Sequence, residues 1–182
     1  MTMTLIPSRI IIAMGVSSSG KSTVGQSIAR ALHAPFLDGD GYHPDANVEK
    51  MRAGIPLTDE DRWPWLERLA RALHEAAEHK GAAVGACSAL RRVYRDYLIA
   101  KAGEPILFVY LDGSPEVIAE RMARRHHEYM PASLLDSQFA TLERPDPLSE
   151  NVVAVPVTDS VSRITQTVTR SLDHLKTFKR WQ

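Results

Sequence analysis

The segment at positions 15–22, Gly-Val-Ser-Ser-Ser-Gly-Lys-Ser, restricts the possible folds of this chain more than any other feature. It matches the spacing G-x-x-x-x-G-K-[ST] and stands between an apolar run and a segment of helical periodicity. In such a strand–loop–helix unit, the loop amides and the helix N-terminus surround phosphate oxygens. An ordinary glycine-containing turn is the alternative, and the intact motif in this context argues against it. We expect a nucleotide to bind at Gly15, Val16, Ser17, Ser18, Ser19, Gly20, Lys21, Ser22 and Thr23.

Short apolar runs alternate with longer helical-period segments along the chain. The runs are nearly continuous in apolar character, as parallel strands covered on both faces are; they lie at residues 9–14, 35–38, 82–87, 106–111 and 152–155. The helical segments lie at residues 21–32, 61–80, 90–101, 115–125, 131–142 and 161–176. This alternation predicts an α/β fold with a doubly wound, five-stranded parallel sheet and helices on both faces. Ligand loops of such a sheet follow the carboxyl ends of its strands, here Met14, Asp38, Cys87 and Leu111.

Length and composition favour one small-molecule-binding domain. A chain of 182 residues with 44% hydrophobic content suits a single domain spanning residues 1–182. Its 22 acidic and 22 basic residues balance, which argues against nucleic acid or a membrane surface as partner. The single cysteine, Cys87, allows no internal disulfide and suits a reducing compartment, so we expect the cytoplasm. We also expect neither a signal peptide nor a membrane anchor.

Within the loop, Lys21 is expected to contact the β- and γ-phosphates of ATP and Ser22 to bind Mg²⁺. Two carboxylates, Asp38 and Asp40, follow the second predicted strand, where extended backbone would point both to the same side. We interpret Asp40 as the catalytic group that orients or deprotonates an acceptor hydroxyl, and Asp38 as a Mg²⁺ ligand acting through water. An isolated Asp-Gly-Asp is usually a solvated turn, but the preceding phosphate loop favours a functional pair.

Several stretches resemble the gluconokinase family, a relative of the shikimate and adenylate kinases, and together they cover almost the whole chain. They are the phosphate loop after Met14, Leu37-Asp38-Gly39-Asp40 with His43-Pro44, Asn47 and Lys50-Met51, residues 54–62 with Pro64-Trp65-Leu66, residues 87–90 with Tyr94-Arg95-Asp96, and Met130-Pro131, Leu134-Leu135, Ser137-Gln138-Phe139 and Leu142-Glu143. The resemblance implies a P-loop kinase fold with a mobile lid. It also implies ATP- and Mg²⁺-dependent phosphorylation of D-gluconate at its 6-hydroxyl, giving 6-phospho-D-gluconate, by a homodimer.

Two alternatives stay open at this point. The same fold could phosphorylate shikimate, a nucleoside monophosphate or another sugar acid, because fold does not determine function. A nucleotide-gated switch or binding module is the second alternative, although the sequence has no guanine-reading Asn-Lys-x-Asp motif.

An anionic acceptor needs positive charge, which Arg62, Arg91, Arg92 and Arg95 can supply near the expected ligand face. A solvated helix face is the alternative for Arg91 and Arg92. We expect Arg62 and Arg95 to bind the acceptor; the resemblance favours Arg95 and also implies His43.

Arg121, Arg124 and Arg125 precede a histidine-rich turn. We interpret residues of about 121–135 as the lid, which would exclude water and neutralise charge on the transferring phosphoryl group. Arg124 is the predicted catalytic arginine, and Arg124 with Arg125 is predicted to contact the nucleotide. An ordinary basic helix end is the alternative.

The chain departs from the family pattern at four positions. Ser18 stands where glycine is usual, which predicts modest backbone strain. Arg91 replaces the usual lysine and changes its hydrogen-bond geometry. Glu128 stands at the usual histidine and Pro156 replaces a frequent aspartate, so no role is carried over to either.

Cys87 lacks an obvious base and is interpreted as a small core residue rather than a nucleophile.

Overall fold

A computed structural model of the protein describes residues 5–124 and 132–179. Its strands are β1 (Ile10–Met14), β2 (Phe36–Asp38), β3 (Ala83–Ala86), β4 (Ile106–Asp112) and β5 (Val152–Pro156). Its helices are α1 (Lys21–Leu32), α2 (Asp45–Arg52), α3 (Asp59–Lys80), α4 (Arg92–Ala102), α5 (Pro115–Arg124), α6 (Ala132–Thr141) and α7 (Val161–Lys179), with a 3-10 turn at Gly39–Tyr42. The strand order is β2-β3-β1-β4-β5, and every neighbouring pair is parallel. The predicted five-stranded parallel sheet is confirmed.

The central strand β1 is buried along its whole length and serves both faces of the sheet. Because successive strand residues point to opposite faces, Ile12 joins a core cluster with Leu69 of α3, whereas Ile11 joins another with Ile28 of α1 and Val168 of α7. Full burial of each such side chain contributes roughly 1.5–3 kcal/mol, so these contacts hold helices on both faces, as predicted. None of the helices in the described part of the chain is long and apolar enough to cross a lipid bilayer.

Two helices begin at different residues from those predicted, for local reasons. Helix α3 begins at Asp59 because Thr58 and Asp61 form a reciprocal capping box, with each side chain accepting from the backbone N–H of the other. Helix α4 begins at Arg92 because Ala89 has a φ of 44° and Arg91 is extended. The residues between β3 and α4 therefore form a loop.

Helix α2 and the 3-10 turn were not predicted from the sequence. Helix α2 buries only Asn47 among its eight residues, so it has no apolar face that periodicity could reveal. Its contacts are polar instead: Asn47 Nδ2 donates to the carbonyl oxygen of Asp61 at 2.8 Å, and Lys50 pairs with the Asp61 carboxylate at 2.8 Å. The N-terminus of α3 thus holds α2 in place.

The parallel sheet brings the loops after β1 and β3 to one edge. The Gly15 N–H donates to the Ser88 carbonyl oxygen at 3.3 Å, and the Cys87 N–H donates to Ala13 at 3.1 Å. The phosphate loop therefore lies directly against the loop that follows β3.

Candidate active site

The loop between β1 and α1 depends on left-handed backbone. Gly20, directly before α1, has a φ of 98°, and Ser18 has a φ of 61°. Ser18 thus occupies a conformation that glycine adopts more easily, in agreement with the predicted strain. At Gly15 the φ is 147°, and a Cβ would lie 3.1 Å from the Leu111 carbonyl oxygen. The first residue of the motif therefore has to be glycine.

Polar side chains at the start of α1 meet the end of β2. Lys21 Nζ donates to the Val16 carbonyl oxygen at 2.9 Å, which keeps the ammonium group at the loop. Ser22 Oγ donates to Asp38 Oδ2 at 2.8 Å, and Asp38 Oδ1 accepts from the Asp40 N–H at 3.1 Å. Hydroxyl and carboxylate oxygens are the ligands that Mg²⁺ takes from proteins. The donor set of Ser22 and Asp38 therefore fits the predicted metal.

The two aspartates do not continue one extended strand, so the predicted reason for their convergence is wrong. Strand β2 ends at Asp38, which caps the 3-10 turn that carries Asp40. The turn lies hard against the sheet: a Cβ on Gly39 would come within 2.2 Å of the Ala86 carbonyl oxygen. Trp65 Nε1 donates to the Gly39 carbonyl oxygen at 2.7 Å from the other side. Tight packing, rather than strand alternation, sets the position of Asp40.

Cys87, the residue directly after β3, lies near the charged groups of Lys21, Asp38 and Asp40. Burial is the main cause that raises the pKa of its thiol to about 12; the charges of Asp40 and Asp38 add to this rise, whereas a backbone hydrogen bond with Ala89 and the Lys21 charge oppose it. A thiol with this pKa is protonated at neutral pH, which agrees with a core residue rather than a nucleophile. Lys21, Asp38 and Asp40 therefore all lie near the residue that follows β3.

His43 follows the turn and is neutral at pH 7. Burial, with a smaller effect from the Arg62 charge, lowers the pKa of its imidazole to about 4. The ring stacks on Trp65 with the centroids 3.9 Å apart. Asn47 Nδ2 lies 3.3 Å from Nδ1 of His43, and because an amide nitrogen can only donate, Nδ1 accepts. The proton of the neutral ring is therefore on Nε2, which is a hydrogen-bond donor.

A cavity of about 400 Å³ lies between the start of α3 and the end of α6. Its walls are Pro56, Leu57, Thr58, Asp59, Arg62, Arg91, Tyr94, Ser137, Ala140, Thr141, Leu142 and Glu143. A hydrogen bond from the Tyr94 hydroxyl is the main cause that lowers the pKa of Asp59, and the charges of Arg91 and Arg62 lower it by smaller amounts. Arg91 pairs with Asp59 at 2.8 Å and with Glu143 at 3.3 Å. Arg62 donates to Tyr94 Oη at 3.2 Å. Two arginines and two carboxylates thus give the cavity a polar, charge-balanced wall.

Arg95, which is predicted to bind the acceptor, is not among the residues that line this cavity. Its side chain is 1% exposed. Its guanidinium donates to both Glu150 oxygens, at 2.6 and 3.0 Å, and to the carbonyl oxygens of Ala89 and Leu90. With these donors already used inside the protein, Arg95 holds α4 to the segment before β5.

The arginine of α5 that contacts the phosphate loop is Arg121. It donates to the Ser19 carbonyl oxygen at 3.4 Å and to the Val157 carbonyl oxygen. The side chain of Arg124 is 82% exposed, and its Nη2 lies 3.9 Å from Glu120 Oε2. The structure therefore does not bring Arg124 to the phosphate loop. Arg125 and the middle of the predicted lid, residues 125–131, lie outside the described residues.

Gln138 contacts the phosphate loop directly, although no role was predicted for it from the sequence. Its Oε1 accepts from the Ser17 N–H at 2.7 Å, and its Nε2 donates to Ser17 Oγ at 3.0 Å. The one available signal was its position inside a stretch that resembles the gluconokinase family. A pattern of that kind does not say that the side chain reaches across 121 residues of sequence.

Comparison with protein families and curated relatives gives consistent matches. The family model described as shikimate kinase matches residues 17–176. The thermosensitive gluconokinase of Escherichia coli (strain K12) is 43% identical over 85% of this chain and 82% of the relative. The gluconokinase of Gluconobacter oxydans (strain 621H) is 49% identical over 75% of this chain and 76% of the relative.

Solved structures support the same relationship. The crystal structure of a gluconokinase from Sinorhizobium meliloti 1021 matches with a TM-score of 0.82 and 45% identity, over 97% of each chain. The similarity therefore extends through the sheet, the phosphate loop and the helices that form the cavity.

Proposed function

Because the chain belongs to the gluconokinase family, we propose that it transfers the terminal phosphoryl group of ATP to the 6-hydroxyl of D-gluconate. The products are 6-phospho-D-gluconate and ADP. The observation that carries the proposal is similarity to gluconokinases over most of the chain, at 38–49% identity. The arrangement of Lys21, Asp38 and Asp40 at one edge of the sheet suits this chemistry.

In the proposed reaction, the acceptor oxygen forms a bond to the terminal phosphorus while the bond from that phosphorus to the ADP oxygen breaks. Asp40 orients the hydroxyl and takes its proton. Lys21 lies at the phosphate loop, where its ammonium group neutralises charge on the transferring phosphate. Arg124 is proposed to add positive charge at the same phosphate, with Arg125 on the nucleotide.

Ser22 and Asp38 would hold Mg²⁺, the second proposed cofactor. When bound, Mg²⁺ would offset negative charge on the phosphates. The hydrogen bond between the two side chains already places their oxygens together, which supports this assignment.

We propose that gluconate enters the 400 Å³ cavity with its carboxylate toward Arg62. The charge of Arg62 also acts on His43, so the two predicted acceptor residues lie close together. The neutral His43 can donate from Nε2 to a hydroxyl of the sugar acid without adding charge. Arg91 and Tyr94 extend the predicted acceptor site, although Arg91 is already paired with Asp59 and Glu143.

A homodimer, a cytoplasmic location and a single domain over residues 1–182 are also proposed. The resemblance to the family supports the homodimer, and the balanced charge with one cysteine suits the cytoplasm. Light scattering of the purified protein measures the mass directly: about twice 20.2 kDa supports the dimer, and 20.2 kDa refutes it.

A coupled assay of ADP release tests the function. Purified protein, ATP and Mg²⁺ are combined with gluconate, related aldonates, shikimate and nucleoside monophosphates, with a reaction lacking acceptor as control. The proposal predicts selective turnover of gluconate. Shikimate is a necessary competitor because the matching family model is that of shikimate kinase. Selective turnover of another acceptor would move the specificity, and nucleotide binding without turnover would favour a binding module.

A further inference from the structure

Gln138 accepts a hydrogen bond from a backbone N–H of the phosphate loop that is expected to bind the nucleotide. The backbone N–H of Ser17 belongs to the motif whose amides surround phosphate oxygens. In the structure this N–H donates to Gln138 Oε1 at 2.7 Å. The side-chain oxygen of Gln138 thus takes the place that a phosphate oxygen would fill.

The orientation of the Gln138 amide is fixed by its two contacts. The Ser17 N–H can only donate, so the atom facing it has to be Oε1. The opposite atom, Nε2, then donates to Ser17 Oγ at 3.0 Å. One side chain therefore satisfies both the backbone and the hydroxyl of Ser17.

The helix that carries Gln138 also forms a wall of the proposed acceptor cavity. Ser137, Ala140 and Thr141 of α6 line it, and so do Leu142 and Glu143, which follow directly after the helix. The neighbour of a cavity-lining residue therefore reaches the phosphate loop. Of the phosphates in ATP, the one next to the acceptor is the terminal one, because it is transferred.

We propose that Gln138 is a positioning residue that holds the Ser17 amide until the terminal phosphate of ATP displaces it, which couples nucleotide loading to the acceptor cavity. The coupling to gluconate rests on the proposed function, whereas the displacement rests only on nucleotide binding. The phosphate loop and the proposed acceptor cavity both contact α6. A change in the contact between Gln138 and the loop therefore changes the free energy of ligand binding at the cavity.

Calorimetric titration of AMPPNP and ADP into the whole protein tests the displacement. Gln138→Leu removes the competing oxygen, so AMPPNP should bind about fivefold more tightly, a change typical of one hydrogen bond. Its affinity for ADP should change less than about twofold, because ADP lacks the terminal phosphate. Gln138→Glu keeps an acceptor but adds negative charge, so AMPPNP should bind at least about fivefold more weakly. Asp136→Asn, on an exposed position of α6, should change neither affinity.

Thermal unfolding of each variant shows whether the variant is still folded. The comparison of the two nucleotides is a second control, because a merely structural role of Gln138 would affect AMPPNP and ADP equally. Equal effects on the two nucleotides, or unchanged AMPPNP affinity in Gln138→Leu, would overturn the displacement.

Gluconate titrations with and without AMPPNP test the coupling. The ratio of the two gluconate dissociation constants should differ from one in the wild-type protein and move toward one in Gln138→Leu. A wild-type ratio of one would overturn the coupling. If the wild-type protein binds AMPPNP but not gluconate, the proposed function and the coupling both fail, while the AMPPNP and ADP affinities still decide the displacement.

Discussion

At the scale of single residues, the surroundings of Asp38 and Asp40 differ in a way that supports the roles proposed for them. Both oxygens of Asp38 accept hydrogen bonds, one from Ser22 and one from the Asp40 backbone. The side chain of Asp40 is exposed to solvent, from which an acceptor arrives. This exposure supports the proposal that Asp40, and not Asp38, meets a hydroxyl of the substrate.

Asp40→Asn should lower kcat by about 10²- to 10⁴-fold, because an amide cannot take the proton of the acceptor. ATP affinity should stay nearly unchanged, since the group acts on the acceptor. Steady-state kinetics together with ATP titration measure both effects. Asp45→Asn is the matched control, an exposed aspartate that begins α2; normal turnover in Asp40→Asn would remove Asp40 from the mechanism.

The buried, neutral His43 predicts a dependence of stability on pH. Its folded pKa of about 4 lies below its ordinary value of 6.5, so between these values the unfolded chain binds more protons. The free energy of unfolding should therefore fall as the pH is lowered from about 6.5 toward 4. Urea denaturation at pH 7.5 and pH 5 measures this fall, which should be smaller in His43→Gln. His79→Gln, at an exposed position, is the control; an equal fall in His43→Gln and wild type would refute the assignment.

At the scale of secondary-structure elements, contact between the 3-10 turn and β3 positions Asp40, the proposed catalytic carboxylate. Gly39→Ala should cost about 1–3 kcal/mol of stability and lower kcat, because the added Cβ would lie 2.2 Å from the Ala86 carbonyl oxygen and displace the turn. Gly41→Ala is a close control: no atom lies within 4 Å of its added Cβ, so the change should stay within about 0.5 kcal/mol. Denaturation and kinetics of both variants test this. Equal behaviour would show that the turn is not held by close packing.

The ion pair of Arg95 and Glu150 links α4 to the segment before β5. Arg95→Met should destabilise the protein by about 3–5 kcal/mol, because it leaves the buried Glu150 carboxylate with only the longer contact to Arg92, at 3.7 Å. Arg92→Met, on the same helix but 44% exposed, should cost less than about 1 kcal/mol. The KM for gluconate of folded Arg95→Met should be unchanged. A raised KM without loss of stability would restore Arg95 as an acceptor-binding residue.

The sequence revealed the elements that have apolar faces and missed those that do not. All five strands were predicted from their short apolar runs, and α1 was predicted from its helical periodicity after the phosphate loop. The short helix α2 was missed because polar contacts with Asp61 stabilise it. The pairing of Arg95 with Glu150 could not be predicted, because Glu150 lies 55 residues away and no local pattern marks the pair.

At the scale of the whole molecule, the order of the strands explains why a local motif could locate the site. Parallel strands place every loop after a carboxyl end on one edge, so the phosphate loop, the aspartates and the segment after β3 meet there. The bonds from Gln138 to Ser17 cross this edge from α6 and depend on the complete fold. They could not be predicted from spacing.

Phosphorus and carbon NMR of a reaction of the purified protein with ATP, Mg²⁺ and D-gluconate tests the central claim most directly. The account predicts ADP together with one new phosphomonoester, whose phosphorus couples to carbon 6 of gluconate. Unchanged ATP, inorganic phosphate without a phosphomonoester, or a phosphoryl group on another hydroxyl would contradict it.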